Sequence, residues 1–313
     1  DTLDINNINA LIQSYGLQFC DVADYRILYE APAGSQRNSV YAFNIWLAGL
    51  DPDNNLHLAA ERYRQSGQDY WNGPVSESYS NQQILDYNKI WSLTKQEIEF
   101  HKQNWWISTY DPIDAIATWP AHGNMNVGQP ELLAPFNDVN GNGIYEWDKG
   151  DFPVVKGDKG LFHIYNDDFG IHTESDGEKL KVEIQSQVYG FDCPADSAFN
   201  NTIFFHYDII SRSAIDYHDF YAATFVDYDL GYPWDDFVGC DTVLDAFFVY
   251  NGDDYDENDL TGFYPVYGYQ DHPPAQAVAF LNTPLNSFVG FSNYSGPQGD
   301  PYQPEEYYNI MQG

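Results

Sequence analysis

Basic residues are scarce in this chain. Its 313 residues include 13 Lys plus Arg against 47 Asp plus Glu, a formal net charge of −34. So acidic a surface repels phosphate backbones and anionic headgroups, which argues against a nucleic-acid partner and against anionic membrane faces. No run of about 18 apolar residues occurs, so neither a membrane-spanning helix nor direct membrane insertion is expected. Cysteine is also rare: Cys20, Cys193 and Cys240 make up the whole set. Their spacing fits no zinc template and permits at most one internal bridge. Cys193–Cys240 is the expected pair because both lie in the strand-rich half, with buried free thiols as the alternative.

Catalytic signatures are missing too. There is no GxSxG elbow, no HExxH, no Walker loop and no GxGxxG after a strand. The eight His are scattered without metal-ligand spacing. Among so many acids, close carboxylate pairs arise by chance and do not identify a glycosidase. No catalytic residue is assigned, and an enzyme is not expected. The opening "DTLDINNINA" has no basic n-region and no apolar h-region, as in a chain without a signal peptide or a mature form after cleavage.

Aromatic residues, by contrast, are abundant: 26 Tyr, 20 Phe and 8 Trp. They suit half-buried pleated surfaces, so the fold class expected is all-β with helical insertions, antiparallel and β-sandwich-like, with long ordered loops. Residues 1–159 form an N-terminal β region with a helical insertion at about 81–118, and 160–313 an antiparallel sandwich region. Asp4 is placed as the N-cap of a short helix carrying Ile5, Ile8, Leu11 and Ile12. "SVYAFNIWLAGL" is strand-like, and "NLHLAAERYRQ" satisfies both helix and strand periods. "SLTKQEIEFHKQNWW" is the clearest helix, with a Thr94/Glu97 capping box, and a further helical turn follows Asp111-Pro112. From Gly160 onward five segments alternate as strands: "GLFHIYND", "KLKVEIQSQVYGF", "NTIFFHYDIISRS", "FYAATFVDY" and "DAFFVYN". The last fifty residues are expected to be ordered loop.

The stretch "NDVNGNGIYEWDKGD", residues 137–151, carries the strongest chemical pattern. In a calcium loop, side-chain oxygens fall at positions 1, 3 and 5, a glycine at 6 and a backbone carbonyl at 7. Asp138, Asn140, Asn142, Gly143 and the Ile144 carbonyl reproduce that order. Position 12 is Lys149, which cannot ligate, so Asp151, Asp148 or Glu146 must close the site. The expected set is Asp138, Asn140, Asn142, Ile144, Glu146 and Asp151 around Ca2+; an acidic Asn-Gly turn is the plain alternative. A second cluster, Asp227, Asp229, Asp235, Asp236 and Asp241, crowds carboxylates that repel unless paired or metallated. "NGDDYDEND", residues 251–259, is expected to be a solvated acidic loop, and "YNDDFGIH" an Asx-turn or an outer ligand set. Trp71, Trp105, Trp106, Trp119 and Trp234 suit either sugar stacking or core packing.

Several of these strings resemble one family. "YAFNIWLAGLDPDNNLHLAAERYRQSGQDYWNGPVS" is similar to the N-terminal module of large secreted Bacteroidota proteins exported by the type IX secretion system. Trp46, Gly49, Leu50, Asp51, Ala59, Ala60, Tyr63, Arg64, Gln65, Asp69, Trp71, Gly73 and Pro74 carry the likeness; Ala48 and Asn72 depart from it. "DVNGNGIYEWDKGDFPVVKGDKGLFHIYNDDFGIH", "YDLGYPWDDFVGCDT" and "FFVYNGDDYD" resemble that family's acidic segments. The resemblance implies a secreted protein at the extracellular face of the outer membrane, whose module is expected to continue past residue 313; relatives carry a C-terminal sorting domain that these residues do not include. It implies an adhesin-like role, with cell-surface or secretion-system proteins, or copies of itself, as partners. Alternatives are a carbohydrate-binding or carbohydrate-active module with a glycan ligand, and a subunit of a surface filament or of a secretion or gliding assembly. In such a setting Asp-(Ser/Thr)-aliphatic sequences are O-glycosylation candidates: Thr2, Ser197 and Thr242.

Overall fold

Strand β1, Val40–Leu50, is buried along almost its whole length. A strand with one wet face alternates apolar and polar residues; one covered on both faces does not. The computed structural model, which describes residues 1–21, 26–64, 67–262, 265–293 and 299–313, shows what covers it. β1 is the centre of a three-stranded antiparallel sheet, with β2 (Leu56–Ala60) on one side and β6 (His218–Tyr228) on the other. A second antiparallel sheet orders β5 (Phe204–Ser211), β4 (Val182–Gly190) and β3 (Lys159–Asn166), and two short strands, Trp71–Asn72 and Trp91–Thr94, pair with β3. A third sheet orders β7 (Asp236–Asp241), β8 (Ala246–Asn251) and β9 (Ala275–Ala279).

Side chains of alternate parity place these sheets in layers. Ile45 and Leu47 of β1 pack against Tyr165 of β3 and Val182 and Ile184 of β4. On the opposite face of β1, Ala42, Trp46 and Ala48 meet Phe225 of β6 and Tyr307, Tyr308 and Met311 of a C-terminal helix. The outward residues of β3, Phe162 and Ile164, are covered by Trp91, Leu93, Ile98, Ile116 and Trp119. Helices α1 (Asn81–Asp86), α2 (Lys95–Asn104) and α3 (Asp114–Ala117) fall within the expected insertion, and α2 and α3 form this outer cover. The capping box of α2 forms: Glu97 Oε2 accepts the Thr94 N–H at 2.7 Å and Thr94 Oγ1 accepts the Glu97 N–H at 3.2 Å. The chain is therefore all-β with minor helices, and its five expected strands after residue 160 are present.

Three expectations are corrected and one left open is resolved. Residues 2–12 form an antiparallel hairpin, Thr2–Leu3 with Asn9–Leu11, not a helix. Asn6 makes the turn, its Oδ1 accepting the Ile8 N–H, while Ile8, Ala10 and Ile12 enter the core at the period of a strand. The ambiguous segment resolves as β2 because Ala59 and Ala60 each face a different packed layer. The final fifty residues hold β9 and helix α4 (Pro304–Gln312), whose Pro at the first turn and Gln303/Glu306 capping box start it. Finally, all three cysteines are free thiols: Cys20 is buried, and Cys193 follows β4 while Cys240 lies in β7 of another sheet. Segments 1–159 and 160–313 are interleaved, since β6 pairs with β1 and β3 pairs with strands from before residue 95. Among the described residues no helix is long and apolar enough to cross a membrane.

One buried group carries a pH prediction. His163 shares the inner face of β3 with Leu161 and Tyr165, stands opposite Ser186, and is fully buried. Neither its ring nitrogens nor the Ser186 hydroxyl has a hydrogen-bond partner among the described residues. Burial pushes the imidazole pKa down to about 3. The unfolded chain, with His near pH 6.5, then binds a proton that the folded chain refuses between those values. The contribution is constant above about pH 6.5 and stability falls by about 1.4 kcal/mol per pH unit below it. We expect His163→Leu to be neutral or stabilising at pH 7 and to lose about 2.5 kcal/mol less than the parent between pH 6.5 and 4.5, by urea denaturation. Equal pH slopes would refute this assignment.

Candidate metal centres

The loop 138–151 projects from a two-residue antiparallel pairing of Phe136–Asn137 with Phe152–Pro153. Asp138 organises its first turn: Oδ1 accepts the Gly141 and Asn142 N–H groups at 2.7 and 3.3 Å, and Oδ2 accepts the Gly143 N–H at 2.6 Å. These bonds, that from Gly143 foremost, hold the Asp138 carboxyl below its ordinary pKa. Gly141 and Gly143 have φ of +74° and +78° with open space around them, so backbone handedness rather than crowding requires glycine. Asn140 Oδ1 accepts from Asn142 N–H and Asn142 Oδ1 from Ile144 N–H. Glu146 Oε2 accepts from the Asn140 and Asn142 amides at 3.3 and 2.6 Å. Asp151 is fully buried and closes the loop, accepting the Val139 and Glu146 N–H groups at 2.8 Å each. Of the three candidate closing residues, Asp148 turns outward to Lys149, whereas Glu146 and Asp151 face the turn.

Two histidines fasten this loop to the helical layer. His101 of α2 donates from Nε2 to the Asp151 carbonyl at 2.9 Å. His122 Nε2 accepts the Tyr145 N–H at 2.9 Å, and the Tyr145 hydroxyl donates to the Ile116 carbonyl at 2.8 Å. Among the described residues no three Asp, Glu, His or Cys side chains converge as a metal-ligand group. A cation here must therefore use the Asn140 and Asn142 amide oxygens and the Ile144 carbonyl beside the carboxylates. That oxygen-only donor set fits a hard ion such as Ca2+ and is unsuited to zinc or copper.

The second cluster has a different membership from the expected one. Asp241 is at the far end of β7 from Asp236, about 17 Å away at strand rise. Its Oδ1 accepts the Val243 and Leu244 N–H groups and caps the β7–β8 turn. Asp227 of β6 and Asp229, just past its end, lie instead with Asp235, Asp236 and Asp256, and Asp300 joins at the Asp227 end. Asp256, expected in a solvated loop, is fully buried; it accepts the Tyr232 and Tyr269 N–H groups at 2.9 and 2.6 Å. Gly231 and Gly268 pack so closely on Asp256 that a Cβ at either would collide with its carboxylate. Burial first, then repulsion from Asp300, pushes the Asp227 carboxyl up to about 7. Asp236 is likewise pushed up to about 7 by burial, with Asp235 and Asp256 adding to the rise. Within this group Asp300 is the member with a guanidinium partner among the described residues, Arg62 at 3.0 Å.

A third buried polar group was not singled out from the sequence as a site, although the family likeness runs through it. Glu61 Oε1 accepts the Asp69 and Tyr70 N–H groups at 2.8 and 2.9 Å, and Asp69 in turn accepts from Ala60, Glu174 and Ser175. Asp167 accepts the Leu180 and Val182 N–H groups, and Asn166 forms an Asx-turn with Asp168 and Phe169, one of the two readings open for this segment. These carboxylates take backbone donors that the sheets leave over, which is a structural role. Gln65, part of the likeness, lies outside the described residues. Of the glycosylation candidates, Ser197 and Thr242 are exposed, and Thr2 is half-buried in a strand. No family model, curated protein or solved structure matches this chain.

Proposed function

We propose that this protein is a calcium-stabilised structural or adhesive module that works outside the cell, at a bacterial surface. The observation that carries the reading is the 138–151 loop, where Asp138, Asn140, Asn142, Glu146 and Asp151 fold their oxygens into one turn anchored by His101 and His122. Calcium bound there neutralises clustered carboxylates and ties the loop to α2, and an ion that binds only the folded chain adds its binding free energy to stability. At a hundredfold excess over Kd that contribution is about 2.7 kcal/mol per site. The resemblance to type IX cargo supports an extracellular setting, where millimolar calcium keeps such a site filled, and supports surface or secretion-system proteins as partners.

The test is thermal melting with calcium and with a chelator. Chelation is expected to lower Tm by about 5 °C, and Asp138→Ala to remove most of the loop's share. An unchanged Tm in both comparisons overturns the reading. A glycan ligand is the second reading, favoured by Trp234, which is 68% exposed beside Asp235. Trp71 and Trp119 are core residues and cannot stack on a sugar. Glycan-array binding that is lost in Trp234→Ala would establish it, and an array without binding would dismiss it.

A further inference from the structure

Asp236 and Asn251 are directly opposed across β7 and β8. The flanking hydrogen bond runs from the Gly252 N–H to the Asp235 carbonyl at 2.9 Å. That pattern makes Asp236–Asn251 a non-hydrogen-bonded antiparallel pair, the kind whose Cα atoms approach to about 4.5 Å with both side chains on one face. Asp236 Oδ2 accepts the Leu230 N–H at 2.9 Å. The Asn251 amide nitrogen donates to the Asp253 and Tyr255 carbonyls, both at 3.3 Å. Asp236 Oδ1 and Asn251 Oδ1 remain, both buried, both acceptors and neither with a donor among the described residues; Asp235 Oδ1 is in the same condition. Asn251 itself is only 8% exposed.

Acceptor oxygens set side by side in a buried position repel and forfeit their hydration, a cost of a few kcal/mol per group unless something positive lies between them. No Lys or Arg among the described residues forms an ion pair with Asp229, Asp235, Asp236 or Asp256. We propose that Asp235, Asp236 and Asn251 hold a calcium ion at the start of β7, with Asp229 and Asp256 supplying surrounding negative charge. Every ligand is an oxygen, and the set comes from two strands and the chain entering one of them. Calcium, with six to eight ligands in a tolerant geometry, accepts such a set more readily than magnesium does. Water or backbone carbonyls complete the shell. This site does not depend on the 138–151 loop.

The test is calorimetric titration of the whole chain with calcium. The parent is expected to bind two equivalents, Asp138→Ala one, and the double variant Asp138→Ala/Asn251→Ala none, while Asp241→Asn keeps the parent value. Should Asn251→Ala fail to fold, Asn251→Asp serves instead: it adds a ligand charge at the same size and gives up the two N–H bonds to the Asp253 and Tyr255 carbonyls. It is expected to bind calcium at least tenfold more tightly at this site and to melt lower in chelator. A parent that binds one equivalent, lost in Asn251→Ala and kept in Asp138→Ala, supports this site and removes the loop. Wild-type stoichiometry and affinity in Asn251→Ala and Asn251→Asp overturn it. So does an Asp236→Asn variant that keeps the parent stoichiometry and gains stability in chelator, since a proton shared between Asp236 and Asn251 would then explain the pair.

Discussion

Asp69→Ala is expected to lower unfolding free energy by about 4 kcal/mol, measured as a shift of the urea midpoint at unchanged m. Asp69 is fully buried. Its Oδ2 accepts the Ala60 N–H at 3.0 Å and the Ser175 hydroxyl. Its Oδ1 accepts the Glu174 and Ser175 N–H groups at 3.0 and 3.4 Å. Alanine leaves three backbone N–H groups in a dry place without an acceptor, and unlike a surface pair they cannot turn to water. The end of β2 and the segment 173–175 are joined through this one carboxylate, so both should lose amide-exchange protection together. Asp69→Asn keeps the shape but replaces one acceptor with a donor, and about half the loss is expected. A loss below about 1 kcal/mol for alanine would show that the network relaxes around the gap.

The second large effect is expected at Trp46. It is 2% exposed, stacked on Phe225 at 5.1 Å with planes 7° apart, and met edge-on by Tyr307 at 4.9 Å. Its Nε1–H donates to the Glu61 carbonyl at 2.7 Å. Trp46→Ala opens a cavity between β1 and α4 and orphans that carbonyl, for a loss of about 3–5 kcal/mol. Amide exchange of residues 304–312 is expected to rise first, because Tyr307 seats α4 on the sheet through this ring. Tyr307→Ala in the same background should add less than its own single-variant cost, since the two side chains share contacts. Full additivity would mean that α4 is held by something other than this stack.

Where a pattern closes within a few residues, the sequence was readable. Thr94 and Glu97 satisfy one another three residues apart, so α2 and its cap could be placed before any neighbour was known. The turn at Asp138 is of the same kind: the carboxylate reaches N–H groups three to five residues on, and the two glycines take the φ it requires. Strands β3, β4, β5, β6 and β8 were visible from β-branched and aromatic content. Residues 2–12 misled because Ile5, Ile8 and Ile12 satisfy a helical period, and only packing against Leu161 and Val188 selected the hairpin.

Composition and short-range chemistry thus determined the all-β class, the capped helix and the oxygen-rich turn, each of which is stable in outline from contacts made within one segment. Tertiary structure alone decided which acids meet. Asp241 shares β7 with Asp236 yet is carried a strand's length away, while Asn251 and Asp256, from a stretch that looked solvated, are buried beside it. Strand pairing sets that outcome, because register joins residues far apart in the chain and the period of two sends each neighbour to the opposite face. No local pattern of charge contains that information.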